Sequence, residues 1–301
     1  MSRSMRRSFN AYAIAIAATA LLLAIPSTAR AGYPDGMNRY GAYHVMHGGV
    51  DPSGLWTREK DTGHVWCAES GDTLSGLAAM QEYGGNGQNW PCLWPTEDTK
   101  DHGYPNTIQP GDKYDASNLA VPSPSASALK VSVAPEKADA YGKWYGTTHL
   151  HPDRVAEKIQ DTSGQGATPI STLIVAGHSG SNGMSGWKKS DRSDIARFTT
   201  AKLVALSQPP IFARAKQQQG PIRCWFTRDA EARFPGCHSS EVMAKPFAEE
   251  VLRKGATSWG TTVNTGHGTR SFYYRETRDG PKVYADDPLK APIWQSWKGE
   301  Q

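Results

Sequence analysis

Residues 64–78 read HVWCAESGDTLSGLA. The apolar start, Val65 and Trp66, has strand composition and runs into a Gly71-Asp72 turn. Asp72 or Thr73 supplies a side-chain oxygen to cap the helix that follows. That helix's apolar face is Leu74, Leu77 and Ala78, at the three- and four-residue spacing of one helical stripe. Tyr83 and Gly84 close it, because glycine adopts the left-handed conformation that ends helices. Trp90 and Leu93 continue the apolar pattern, and residues 104–114 (YPNTIQPGDKY) return as a turn and a strand. The order is strand, helix, helix, strand, an α+β unit over residues 64–117.

These residues resemble the lysin motif (LysM) family. Gly71, Asp72, Thr73, Leu74, Leu77, Ala78, Tyr83, Gly84, Trp90, Leu93, Asn106, Ile108, Pro110 and Gly111 match its pattern in order and spacing. The resemblance implies a module that binds N-acetylglucosamine-containing glycan, peptidoglycan above all, without catalysis. It places the sugar between the loop after the first strand (Gly71, Asp72, Thr73, Leu74) and the loop before the last (Asn106, Thr107, Ile108). Backbone hydrogen bonds to acetamido groups and an apolar floor would do the binding. The chain departs from the pattern by a polar insertion around residues 97–102 and by Cys67 and Cys92.

Toward the amino terminus, Arg3, Arg6 and Arg7 precede an apolar run over residues 11–25, then Pro26 and Ala29-Arg30-Ala31. That is the layout of a cleavable signal peptide over residues 1–31. The run is shorter than the roughly 20 residues a membrane span needs. We therefore expect export to the periplasm or the exterior, and no transmembrane segment in the mature chain. The leader holds four of the chain's 33 Lys and Arg and none of its 29 Asp and Glu, so the remainder is formally neutral. This gives no electrostatic case for nucleic acid. Residues 32–63 are Gly-rich and irregular. His44 and His47 lack partners at ligand spacing and read as structural, so neither a metal nor a cofactor is expected.

Four cysteines in an exported chain favour disulfides and allow three pairings. Proximity favours Cys67 with Cys92 and Cys224 with Cys237. Residues 118–138 have the Pro, Ser and Ala composition of a linker. Residues 139–301 form a second domain in which helical and strand-like segments alternate. A short helix begins near Pro152, an apolar strand covers 171–176, and a helix covers 195–206. A strand at 222–227, a helix at 240–254 and a strand at 256–263 follow. That alternation predicts an α/β sandwich around a parallel sheet.

Two of these segments carry chemistry. Residues 173–180 (LIVAGHSG) end a strand in His178, and residues 232–240 (ARFPGCHSS) lead through Gly236 into Cys237 and a helix. A Cys thiolate with a His as base is the equipment of nucleophilic catalysis, and open α/β sheets place sites at strand carboxyl ends. This pair resembles the caspase-like cysteine peptidases, in which one strand ends in His-Gly and a later one in Ala-Cys or Gly-Cys. The resemblance implies a three-layer α/β fold and a His178–Cys237 dyad. Here Ser179 rather than glycine follows the histidine. A bond between Cys224 and Cys237 would remove the nucleophile. A second alternative is a serine hydrolase, because Gly177-His-Ser179 approaches the Gly-x-Ser-x-Gly elbow, which must lead into a helix. His267, between Gly266 and Gly268, reads as an exposed loop histidine.

Overall fold

The computed structural model describes residues 56–59, 63–96, 99, 108–180, 183–186, 196–207 and 221–300. The leader, His44, His47, Asn106, Thr107 and all of the 97–102 insertion but Thr99 lie outside the described residues. The first unit holds β1 (Thr57–Arg58), β2 (Val65–Cys67), α1 (Leu74–Ala78), β3 (Trp94–Pro95) and β4 (Lys113–Asp115). Its sheet runs β1-β2-β4-β3, all neighbours antiparallel. Thr73 is the cap of α1: its Oγ1 accepts the Gly76 N–H at 3.0 Å. Asp72 closes the preceding turn instead, its carboxylate accepting the Glu69 N–H at 2.7 Å. The second helical segment is two 3-10 pieces, Gln81–Tyr83 and Gly87–Cys92. Trp66, Leu74, Leu77, Tyr83, Leu93 and Tyr114 fill the core between helix and sheet.

The second unit begins earlier than the linker composition implied. Residues 118–138 are not a linker: β5 (Ser127–Ser132) lies inside them and is an interior strand. Leu129, Val131 and Val133 alternate with Lys130 and Ser132, and that period of two matters more than the Ser and Pro content around it. The chain continues through α2 (Ala138–Tyr145), β6 (Thr148–His149), α3 (Val155–Ser163) and β7 (Ile170–Ala176). A three-stranded excursion follows, β8 (His178–Gly180), β9 (Gly183–Ser185) and β10 (Arg197–Phe198), then α4 (Thr200–Ser207). The last part holds β11 (Phe226–Phe234), α5 (Lys245–Glu250), β12 (Thr257–Thr261), a small sheet of β13 (Asn264–His267), β14 (Phe272–Arg275) and β15 (Val283–Ala285), and β16 (Trp294–Lys298).

The main sheet has six strands in the order β16-β12-β11-β7-β5-β6. Five are parallel and β16 is antiparallel to β12. One sheet face carries Leu129, Val131, Leu173, Val175, Ala232 and Phe234 and is covered by α3, α4 and α5. The other face, with Ile174 and Ala176, is covered by α2 and the β13-β14-β15 sheet. The chain leaves β5 for β6 at one edge and then leaves β7 in the opposite direction for β11. This makes the carboxyl ends of β5 and β7 a topological switch point, where open α/β sheets form their ligand crevice.

Strand β11 also overturns the expected cysteine pairing. The sequence suggested a strand at 222–227 followed by a polar hairpin, but Ile222–Trp225 is a 3-10 turn and the polar residues belong to one nine-residue strand. Cys224 and Cys237 therefore stand at opposite ends of β11, which runs from Phe226 opposite Ile170 to Arg233 opposite Ile174 on β7, about 13 Å of strand at roughly 3.3 Å per residue. Cys224 instead bonds Cys92 of the first unit, and Cys67 and Cys237 are free. Beside that disulfide, the buried Arg253 donates from Nη2 to Asn118 O at 3.0 Å, Asn118 Oδ1 at 2.7 Å and Phe226 O at 2.5 Å. The Asn118 amide in turn donates to Gly166 O at 2.6 Å and Cys224 O at 2.8 Å. The first unit is thus stapled to the amino-terminal end of the parallel sheet.

The bond spans 132 residues of sequence, for which loop-closure entropy gives about 5 kcal/mol. A non-reducing peptide map is expected to recover the peptides of Cys92 and Cys224 as one linked species. Dithiothreitol or Cys92→Ser should lower the melting temperature. A map showing Cys67 linked to Cys92, or Cys224 to Cys237, contradicts this arrangement.

Candidate active site

The site is built where β5, β7 and β11 end. After β7 the chain passes through Gly177 to His178, and after β11 through Pro235 and Gly236 to Cys237. The two connections are pressed together: Gly177 N–H donates to Pro235 O at 3.1 Å. A Cβ on Gly236 would stand 2.7 Å from Gly177 O and 3.1 Å from Ser179 Cβ, so only glycine permits this approach. His178 and Cys237 therefore follow the carboxyl ends of adjacent parallel strands, and Cys237 is a half-buried thiol.

Cys237 occupies a sharp strand-to-helix turn. His238 takes the left-handed conformation with φ of 50°, and the chain then enters one π-helical turn (Ser240–Ala244) and α5. Ser239 Oγ donates to Phe234 O at 2.5 Å and accepts the Thr261 N–H at 2.9 Å, fixing the turn to the ends of β11 and β12. A non-glycine residue held in this region of the backbone marks a site whose surroundings enforce it. The elbow that the sequence suggested at Ser179 is absent there, because Ser179 lies on β8 and the chain continues into β9, not into a helix. The strand–turn–helix geometry belongs to Cys237.

The thiol is set against the backbone of Thr265. The Thr265 backbone N–H donates to Cys237 Sγ at 3.4 Å, and Sγ lies 3.5 Å from Thr265 O. His178 Nε2 lies 2.5 Å from Glu136 Oε1, with Glu136 on the 3-10 turn (Pro135–Lys137) just after β5. If Nε2 carries the proton it donates to that carboxylate, which leaves the Nδ1 lone pair as the base. Tyr141 O–H donates to Gly177 O at 3.3 Å from beneath. Burial pushes the Tyr141 phenol upward, and the nearby Cys237 and Glu136 push it further, so it stays a neutral donor.

His267 is not an exposed loop residue. It ends β13 at 4% exposure, its Nε2 2.8 Å from Tyr145 Oη and its ring packed on Tyr141 and Phe272. Burial lowers its pKa to about 3, with Lys137 and His178 contributing. It is neutral at any physiological pH and serves as packing under the site.

The proposed glycan residues divide differently. Gly71 has φ of 98°, while Asp72, Thr73 and Leu74 are buried and used as turn, cap and core. The loop after β2 is joined to the loop before β4 by Ala68 N–H to Asp112 O and Gly111 N–H to Ala68 O, both 2.8 Å. Ile108 packs partly buried on the module core.

Glu136, Tyr141 and Thr265 were missed by the sequence reading. Glu136 sat in the supposed linker, and only the alternation of Leu129, Val131 and Val133 could have placed it after a strand. Among the described residues no group of three or more His, Cys, Asp or Glu side chains is placed to hold a metal, and no helix is long and apolar enough to cross a membrane. In comparisons with known proteins, no family model, no curated protein and no solved structure matches the chain.

The buried His267 ties stability to pH. Its folded pKa of about 3 lies below the ordinary value of about 6.5, so the unfolded state binds the extra proton. The contribution is complete above about pH 6.5 and lost as pH falls toward 3, on the order of 5 kcal/mol in all. Urea unfolding measured from pH 7 to pH 4 should show falling stability. His267→Gln should flatten that slope; an unchanged slope refutes the assignment.

Proposed function

We propose that this protein is an exported cysteine hydrolase, tethered to N-acetylglucosamine-containing glycan by its first unit. Cys237 is the nucleophile and His178 its base. The observation that carries the reading is a free thiol on a strand-to-helix turn, with an imidazole following the adjacent parallel strand at a topological switch point. The resemblance to caspase-like peptidases supports it and implies an acyl substrate, a peptide bond. The sequence-based concern that a disulfide would consume Cys237 loses its force, because Cys224 bonds Cys92.

The proposed roles are these. His178 Nδ1 takes the thiol proton, and Glu136 holds the imidazole and balances the imidazolium charge. The Thr265 N–H stabilises the thiolate. Cys237 attacks the substrate carbonyl, the leaving group takes the proton from His178, and water then hydrolyses the thioester. Tyr141, through Gly177 O, keeps the β7 connection in place.

The tether reading draws on the lysin-motif resemblance and on the two loops that it assigns to sugar, which lie side by side through Ala68, Gly111 and Asp112. The staple at Cys92 and Arg253 puts the tether at the pole of the sheet opposite Cys237.

Iodoacetamide added to the native, unreduced protein should alkylate Cys237 faster than Cys67. His178→Ala should slow that labelling and lower any hydrolytic turnover by about 10²–10⁴, the usual worth of a positioned base. Glu136→Gln should slow both by less. Equal labelling of the two thiols, unaffected by His178→Ala, sinks the dyad.

The full mature chain should sediment with insoluble peptidoglycan, and Thr73→Ala with Asn106→Ala should reduce the bound fraction. Failure to sediment at any salt concentration removes the tether while leaving the dyad to stand on its own test.

A further inference from the structure

A cysteine hydrolase needs a hydrogen-bond donor for the negative oxygen that forms on the attacked carbonyl, and three backbone donors near Cys237 are engaged. The His238 N–H, which follows the nucleophile and fills this role in elbow-type hydrolases, donates to Val263 O at 3.1 Å. The Gly177 N–H donates to Pro235 O at 3.1 Å, and the Thr265 N–H is directed at Sγ itself. One neighbouring donor is uncommitted. Ser179 Oγ is shut off from solvent and has no hydrogen-bond partner among the described residues.

Its position fits the need. Ser179 follows His178 in the chain, and its Cβ lies where it would meet a side chain on Gly236, the residue before Cys237. Pairing of β8 with β9 through Ser179 and Met184 holds its backbone. A buried hydroxyl without a partner is destabilising, and such groups in a folded protein call for an explanation, of which an absent ligand oxygen is one. Next to His178 in the chain and beside Gly236, the ligand oxygen with most to gain is the one that becomes charged.

Resting on the Cys237–His178 reading, we propose that the Ser179 hydroxyl donates a hydrogen bond to the oxyanion of the tetrahedral intermediate. The sulfur electron pair of the Cys237 thiolate forms the C–S bond as the carbonyl π pair moves onto oxygen, and Ser179 Oγ–H meets that charge. When the pair returns, the bond to the leaving group breaks and the leaving group departs with its electrons. Ser179 is thereby a catalytic donor and not a nucleophile. Among the described residues its hydroxyl carries no competing hydrogen bond that would have to break when charge develops.

The test separates acyl transfer from simple thiol reactivity in the full mature chain. p-Nitrophenyl acetate should acetylate Cys237, read as a burst of p-nitrophenolate and as a mass increment on the Cys237 peptide that Cys237→Ala abolishes. Ser179→Ala and Ser179→Gly should slow the burst about 10²–10³-fold, the usual loss for one oxyanion donor. Alkylation by iodoacetamide forms no oxyanion and should stay within about twofold. The melting temperature of Ser179→Ala should hold or rise, since an unpaired buried hydroxyl is removed. Wild-type bursts in both variants overturn the donor role and leave the dyad intact. Equal loss of burst and alkylation shows Ser179 to be structural and also overturns it. No burst and no selective alkylation in the wild-type chain overturns the dyad, and this proposal with it.

Discussion

The run Phe226–Phe234 is matched to β7 from Ile170 to Ile174, with a bulge between Phe226 and Glu231, so it advances about 13 Å between Phe226 and Arg233 at roughly 3.3 Å per residue of β7, and that separation governs which parts of the molecule can meet. At its amino end the strand hands Cys224 to the first unit. At its carboxyl end it delivers Pro235, Gly236 and Cys237 to the switch point. The same strand supplies Ala230, Ala232 and Phe234 to the main core. Were it broken into a hairpin, Cys224 and Cys237 would face each other and the molecule would have neither its interdomain bond nor a free thiol at this end of the sheet.

The junction at the amino end shows how a buried cation can be kept without a carboxylate. Arg253 is 1% exposed, and one of its guanidinium nitrogens contacts three oxygens, two carbonyls and the Asn118 amide oxygen. Burial, with Arg228 and Arg223 nearby, brings its pKa down to about 9. Carbonyl dipoles from Asn118 and Phe226 hold the charge, and the Asn118 amide passes the connection on to Gly166 and Cys224. Backbone carbonyls of both units are thereby fixed by one side-chain pair beside the Cys92–Cys224 bond. The cost of desolvating the guanidinium is offset only when all these oxygens are in place, which makes the docking of the two units specific.

At the other end, stability and chemistry pull apart. Ser239 and Thr261 tie the turn after Cys237 into place, with Thr261 Oγ1 donating to Gly236 O. His238 accepts a left-handed backbone and Ser179 leaves a hydroxyl unpaired. These are costs of the kind that cluster at functional sites, tolerated because the surrounding sheet and the His267, Tyr141 and Tyr145 packing over-determine the local shape. In the first unit Asp72 and Thr73 are satisfied by the turn and the helix they start.

Local patterns were legible in the sequence. The run at 171–176 reads as a strand and is within β7; the Gly71-Asp72-Thr73 turn and its helix read directly, because capping and stripe spacing act over a few residues. His178 and Cys237 were identifiable by type and by the glycines before them. What the sequence could not settle was every property set by long-range pairing. The polar residues Arg228 and Asp229 lie in a bulge of β11, and from Glu231 onward the strand is paired on both sides. β5 hides in Ser- and Pro-rich chain because only its alternate residues meet the core. The disulfide joins residues 132 apart, and His267 is buried by residues 122 to 126 positions earlier and by its own hairpin. Spacing along a chain determines local hydrogen bonds and helix faces; which side chains share a site depends on strand order and register, and those are decided only when the whole sheet closes around its core.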